Sequence, residues 1–248
     1  MHVRLKKRFG QNFLIDKNIL NKIYNLIKFE NLNILEVGPG SGNLTEFILK
    51  IKPSKLTLIE IDKDLILNLK NRFIKSSNLI IHNLDILKSG EIFDTNYDLI
   101  ISNLPYNISS QALVKFCLLQ NAPRRMILMF QKEFADKLLE KNLNAINSLV
   151  KCFYSIKKNF DISRNSFYPI PKVDSSLLEF TKLDKSFIEI KDIQKYLSFK
   201  RKIFNKKRKT IGSILKLEVI DFDEAFIKRR AESFSLKEFI NLFNKTNS

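Results

Sequence analysis

Residues Asn33–Phe47 read "NILEVGPGSGNLTEF". A short apolar strand, "NILEVG", runs into a glycine-rich turn, and the turn runs into a helix. Glycine at such a junction lets backbone approach a ligand closely, and the first N–H groups of the helix face whatever binds there. The same alternation continues outward. "KLTLIEID" is a strand, "KDLILNLKNRF" a helix, "NLIIHNLDIL" and "YDLIIS" strands, "SSQALVKFCLLQN" a helix and "RRMILMFQ" a strand. Strands alternating with helices pair in parallel through right-handed crossovers, which predicts an α/β fold with a doubly wound sheet. Upstream, residues 16–29 carry Ile19, Ile23, Leu26 and Ile27 at helical spacing, with Asp16 as the expected N-cap. "KVDSSLLEFTKLD" alternates like a final strand. Beyond it, "DIQKYLSFKRKIFNKKRKTIGSILK" and "SLKEFINLFNK" are amphipathic and helical. Two domains are therefore expected, residues 1–182 and a small helical domain over 183–248.

Composition bounds the function. The chain has 248 residues, 44% of them hydrophobic, enough to bury a core. Lys and Arg number 43 against 26 acids, a formal net charge of +17. Such an excess points to a polyanionic partner, because each cation set on a phosphate releases condensed counterions. Cys117 and Cys152 are the only cysteines and lie far apart, and His2 and His82 are isolated. This spacing suits no metal site. The basic N-terminus lacks the apolar core of a signal peptide, and no stretch has the apolar length of a membrane span, so a cytoplasmic protein is expected.

Four stretches carry candidate chemistry. In "LEVGPGSGNLTE", Gly38 and Gly40 fit a dinucleotide fingerprint, but Asn43 stands where its third glycine belongs. Glu36 with Gly38, Gly40 and Gly42 instead resembles the first motif of class I S-adenosylmethionine-dependent methyltransferases. Glu60, in "LIEID", ends its strand 22 residues after Gly38, where an acid accepts hydrogen bonds from ribose hydroxyls. Asp85, in "HNLDIL", is placed at a strand end to accept from an adenine amine. "NLPY", Asn103–Tyr106, follows the next strand on the same edge. The exocyclic amine of adenine is a poor nucleophile because its lone pair is delocalised into the ring. The Asn103 side-chain oxygen and the Leu104 carbonyl can accept its two hydrogens, Pro105 stiffens the turn, and the Tyr106 ring supports a base taken out of its stack. On this reading the Tyr106 ring matters more than its hydroxyl. No general base is needed, so a flat rate profile between about pH 7 and 9 is expected. In "SFYPIPKVDSS", Phe167 or Tyr168 is a candidate for the opposite wall. "RLKKRFGQNFL" and "FKRKIFNKKRKT" are basic with interleaved Phe, which makes Lys6, Lys7, Arg8, Lys206, Lys207 and Arg208 candidate RNA contacts.

With these residues in hand, the chain resembles the KsgA/RsmA family, the small-subunit rRNA adenine N6-dimethyltransferases. "KRFGQNFL", "EVGPGSGNLT", "IEID", "NLPYNISS", "FYPIPKVDSS", "KKRKTIGSIL" and "RAESFSLKEF" carry the resemblance over nearly the whole chain. It implies a class I methyltransferase domain with a small helical domain. It implies transfer of methyls to two adjacent adenosines in the hairpin loop near the 3′ end of 16S rRNA, within the immature 30S subunit, by a monomer. The implied S-adenosylmethionine contacts fall on Asn12, Leu14, Gly38, Glu60, Asp85 and Asn103. The implied target-base contacts fall on Asn103, Tyr106 and Phe167, with Leu104. "EKNLNAINSLV", after "QKEFADKLL", is shorter than the family's segment there. The related Erm family, which methylates an adenine of 23S rRNA, shares "QNFL" but typically carries "NIPY" and lacks "RAE-x-x-S". A non-catalytic RNA-binding assembly or transcription factor on the same fold is the alternative of another class. An NAD-dependent oxidoreductase is disfavoured by Asn43.

Overall fold

The computed structural model describes residues 11–27, 31–206, 208–217 and 222–247. Nine strands are present among them: β1 (Phe13–Leu14), β2 (Asn33–Val37), β3 (Lys55–Glu60), β4 (Leu79–Asn83), β5 (Leu99–Ser102), β6 (Arg125–Gln131), β7 (Tyr154–Ile162), β8 (Phe167–Tyr168) and β9 (Ser175–Lys182). Seven form one sheet in the order β4-β3-β2-β5-β6-β9-β7, and β1 and β8 form a separate two-stranded ribbon. The pairs β3–β4, β2–β3, β2–β5 and β5–β6 are parallel, while β9 joins β6 antiparallel. The chain starts at β2, winds outward through β3 and β4, then returns to β5 on the other side of β2. That reversal is a topological switch point, and it puts the ends of β2, β3 and β5 around one crevice.

The helices are α1 (Lys17–Ile27), α2 (Asn43–Leu49), α3 (Lys63–Arg72), α4 (Tyr106–Cys117), α5 (Lys132–Leu139), α6 (Asn147–Val150), α7 (Ile193–Phe204), α8 (Ile211–Leu215), α9 (Glu224–Ile227) and α10 (Leu236–Asn247). Asp16 caps α1 as its sequence suggests, Oδ1 accepting from Asn18 N at 2.8 Å. β2 and β5 are buried almost throughout, because helices cover both faces of a parallel sheet.

The chain divides into two compact units, residues 1–135 with 157–182, and residues 136–156 with 183–248. It therefore crosses between them at residue 182, where the sequence pattern changes, and also leaves and re-enters the first unit around 136–156. The core of the first unit joins Ile23, Ile34, Ile48, Leu58, Ile101 and Phe167. The second is built on aromatic rings: Tyr196 and Phe199 both pack on Phe239 and Phe243. Tyr196 also donates to the carbonyl of Ser148 at 2.7 Å.

Three strands differ from the sequence reading, which has no β1, β7 or β8. "YSIKKNFDI" alternates poorly because it is a Lys-bearing edge strand, buried only at its two ends and half-buried or exposed between them. The other two are two residues long and make no periodic signal. The long basic stretch after residue 192 also divides. α7 stops at Phe204, and α8 starts after Thr210, whose Oγ1 accepts from Ser213 N at 3.4 Å. Among the described residues no helix is long and apolar enough to cross a membrane, and no group of His, Cys, Asp and Glu is arranged to hold a metal.

Candidate active site

A cleft opens at the ends of β2, β3 and β5, lined by Asn12, Leu14, Gly38, Glu60, Asp85 and Asn103 among others. Residues as much as 91 positions apart thus meet at one edge, all within the first unit. Leu104 and Tyr106 line it too.

The turn after β2 has no room for side chains. Gly40 has φ +58°, and a Cβ there would lie 2.7 Å from the Phe13 ring. Gly38 has φ +70°, and its Cβ would press Leu104 at 3.3 Å. Glu60, only 6% exposed, holds this turn from β3. Its Oε2 accepts from Gly40 N at 3.2 Å, and its Oε1 accepts from Ile61 N and Asp62 N, each at 2.9 Å. Burial pushes its pKa above the ordinary carboxylate value, and the N–H donors, that of Asp62 foremost, pull it back. Asp85 accepts from Leu87 N through Oδ1 at 2.9 Å, and its Oδ2 has no partner among the described residues. The loop that carries it is fastened to α4 by Lys115, whose Nζ donates to the carbonyls of Leu87 and Ser89.

Asn103 donates from Nδ2 to the carbonyl of Asn12 at 3.1 Å. That bond fixes the rotation of the amide, so Oδ1, which has no protein partner among the described residues, is the atom left for a ligand. Tyr106 opens α4, and its hydroxyl is hydrogen-bonded to Ser175 Oγ at 2.7 Å. Ser175 is fully buried. The hydroxyl is thus a structural anchor, a role that the sequence reading, which weighs the ring above the hydroxyl, does not give it. Phe167 also departs from its expected place. It is 1% exposed, packs in the core with Leu14 and Ile19, and does not line the cleft. Its neighbour Tyr168 is 60% exposed.

The sequence reading missed what holds the segment Gln11–Leu14 against the cleft. Gln11 Nε2 donates to Asp62 Oδ2 at 3.1 Å, and Asn43 Nδ2 donates to the carbonyl of Leu14 at 2.9 Å. With Asn103 on Asn12, side chains from three different strand-to-helix junctions tie down four residues. Asn43 itself is oriented by Arg72, whose NH1 reaches Asn43 Oδ1 at 3.2 Å and the carbonyl of Ser41 at 2.6 Å. The one available signal was Asn43 in the place of a glycine; nothing in sequence marks Arg72.

Glu36, named in the sequence only as the acid of the glycine motif, also belongs to the site. It is 2% exposed, lines the cleft and accepts from Thr45 Oγ1 at 2.7 Å. Burial pushes its pKa up to about 8; the Thr45 bond opposes this and the charge of Glu60 adds to it.

Lys206 and Arg208 are exposed in the second unit. Lys6, Lys7, Arg8 and Lys207 lie outside the described residues.

Glycine turn, acidic strand ends and a switch-point cleft together define a class I methyltransferase fold. Solved structures agree. A dimethyladenosine transferase from Plasmodium falciparum superposes with TM-score 0.82 at 27% identity, over 94% of this chain and 98% of that one. The 23S rRNA methyltransferase ErmE shares the fold, with TM-score 0.75 at 21% identity over 95% of this chain and 100% of its own. The particular family follows from sequence: the model of the ribosomal RNA adenine dimethylases matches residues 2–247, and the chain belongs to that family. Among curated relatives, the ribosomal RNA small subunit methyltransferase A of Pelagibacter ubique is 41% identical over 85% of this chain and 82% of its own. The protein of the same description from Mycoplasmopsis pulmonis is 37% identical over 97% and 98%.

Proposed function

We propose that this protein dimethylates the N6 amines of two adjacent adenosines in the hairpin loop near the 3′ end of 16S rRNA, using S-adenosylmethionine. The observation that carries the reading is the Asn103 amide, locked by the Asn12 carbonyl with its oxygen unengaged at the cleft. An amide in that state accepts a hydrogen from an amine and cannot rotate to donate instead.

The residues suit S-adenosylmethionine. Gly38 and Gly40 bring bare backbone to the cleft and let Phe13 and Leu104 pack against the turn, Asp85 keeps a carboxylate oxygen for an adenine amine, and Glu60 lies where ribose hydroxyls are held. Asn12 and Leu14 close over the same space. When bound, the cofactor supplies an electrophilic methyl on a positively charged sulfur. Glu60, and Glu36 once it gives up its proton, complement that charge in a medium of low dielectric.

The target adenine leaves its stack and lies against Tyr106. Asn103 Oδ1 accepts one N6 hydrogen and the Leu104 carbonyl the other, which turns the nitrogen lone pair out of conjugation and toward the methyl. After transfer the nitrogen is cationic and sheds its proton readily, so no side chain needs to act as base. The enzyme works as a monomer in the cytoplasm on the immature 30S particle. Lys6, Lys7, Arg8, Lys206, Lys207 and Arg208 take rRNA phosphates.

The test is transfer of labelled methyl to immature 30S particles and, separately, to 23S rRNA, with mapping of N6-dimethyladenosine. Two adjacent dimethylated adenosines near the 3′ end of 16S rRNA are expected. Label in 23S rRNA alone would overturn the assignment in favour of an Erm-type activity, and no label in either would leave a non-catalytic RNA-binding protein.

A further inference from the structure

The ribbon of β1 and β8 has two faces. Leu14 stands opposite Phe167, and Phe13 opposite Tyr168. Directly opposed residues of an antiparallel pair share a face, and successive residues alternate between faces. Leu14 and Phe167 are buried together in the core. Phe13 faces the cleft and packs on Gly40. Tyr168 shares the Phe13 face, yet 60% of it meets solvent.

The chain then runs from Tyr168 to Ser175, whose hydroxyl grips Tyr106 at 2.7 Å. The segment "YPIPKVDS" is therefore fastened at one end beside Phe13 and at the other to the target-base tyrosine. Both anchors line the cleft. Two prolines stiffen what lies between. Asp174 adds two further fixings: its Oδ1 accepts from Arg164 N at 2.9 Å, and its carbonyl from Lys132 N at 3.0 Å. Yet this fixed segment shows solvent Ile170 at 61% and Val173 at 43%, with Lys172 exposed among them. Exposed apolar groups held rigid at the mouth of a site mark a contact surface. In a chain of net charge +17, an aromatic ring and aliphatic groups interleaved with a lysine match an unpaired nucleotide, apolar on its base faces and charged at its phosphate.

We propose that Tyr168–Asp174 is a docking rim for single-stranded RNA, in which the Tyr168 ring stacks on the nucleobase next to the extruded adenine and Lys172 meets the adjoining phosphate. The inference rests on the rRNA methyltransferase reading. Tyr168, 60% exposed, does not line the cleft in which Tyr106 and Asn103 stand. Its place on the Phe13 face makes it the next aromatic surface outward along the same ribbon.

Steady-state methylation of immature 30S particles by Tyr168→Ala, Tyr168→Phe and Lys172→Gln tests this, alongside calorimetric binding of S-adenosylmethionine. Tyr168→Ala is expected to raise KM for the particle about five- to a hundredfold, with kcat, cofactor affinity and the salt slope of KM unchanged. Tyr168→Phe should restore KM, because stacking needs the ring alone. Lys172→Gln should lower the salt slope by about 0.7–0.9, the share of one phosphate. A wild-type KM in Tyr168→Ala, or a Tyr168→Phe variant as weak as Tyr168→Ala, would overturn the rim. Failure of the wild-type protein to methylate the particle would instead remove the functional reading beneath it.

Discussion

At the scale of single residues, the amide of Asn103 decides most. At saturating cofactor, Asn103→Ala should lower single-turnover methyl transfer roughly thirty- to a thousandfold, the value of a transition-state hydrogen bond of about 2–4 kcal/mol, beyond the weaker cofactor binding that follows from losing the Asn12 tie. A normal rate would remove the amide from the mechanism. Tyr106→Phe should cost stability as well as activity, because it strands the hydroxyl of a fully buried Ser175; a decrease of about 1–3 kcal/mol in chemical denaturation is expected. Glu36 sets the pH behaviour. Its folded pKa, about 8, lies above the ordinary 4.5, so the folded chain keeps a proton that the unfolded chain has shed. Its contribution favours folding at low pH and is lost as pH rises from 4.5 through 8. The melting temperature of the cofactor-free protein minus that of Glu36→Gln should therefore decline over that window. A cationic cofactor favours the carboxylate, so binding near neutral pH should release a proton, seen as calorimetric heat that varies with the buffer's ionisation enthalpy. Glu36→Gln should bind without that release; buffer-independent heat in the wild-type protein would place the titration elsewhere.

At the scale of elements, strands that end in chemistry were legible and those that only hold others were not. "NILEVG", "KLTLIEID" and "YDLIIS" announce themselves because full burial on both faces demands unbroken apolar runs. Gly38, Glu60 and Asp85 follow from the spacing of those runs. The two-residue strands β1 and β8 carry no periodicity, so the ribbon that buries Phe167 and exposes Tyr168 was invisible; spacing left both rings open, and the resemblance pointed to Phe167. The segment Gln11–Leu14 was legible only as a resemblance. What holds it, Asn43, Asn103 and Asp62, acts through backbone carbonyls and an amide whose partners lie 29 to 91 residues away. Asn43→Gly would restore the dinucleotide-type glycine. It would also free the Leu14 carbonyl and take one acceptor from Arg72, which keeps the Ser41 carbonyl and Glu46. Weaker S-adenosylmethionine binding is expected, by about 1–2 kcal/mol. Increased amide exchange confined to residues 11–14 should accompany it. Unchanged affinity would show that the segment closes without this tie.

At the scale of the molecule, the chain forms two compact units. The first assembles the cleft; the second packs its core from rings and leaves cations outside. α7 buries Tyr196, Phe199 and Phe204 on one side and carries Arg201 and Lys202 in its last turn, where cations also complement the helix dipole. Past its end the chain gives up helix for the basic turn that contains Lys206 and Arg208, both exposed. A helix would have spread these cations around its circumference, whereas a turn gathers them on a short stretch between α7 and α8. No acid interrupts residues 200–209, so no internal ion pair competes for them in sequence. If these cations meet phosphates, replacing Lys206–Lys209 by Gln should flatten the plot of log affinity for rRNA against log salt. The change should be about 0.7–0.9 for each phosphate no longer neutralised. Cofactor affinity should not change, since the cleft is built wholly from the first unit. Circular dichroism should show α7 intact, because Thr210 and the buried face of α7 are retained. A wild-type salt slope would make the run an ordinary solvated surface, and the RNA-binding residues of the second unit would then have to be sought elsewhere on it.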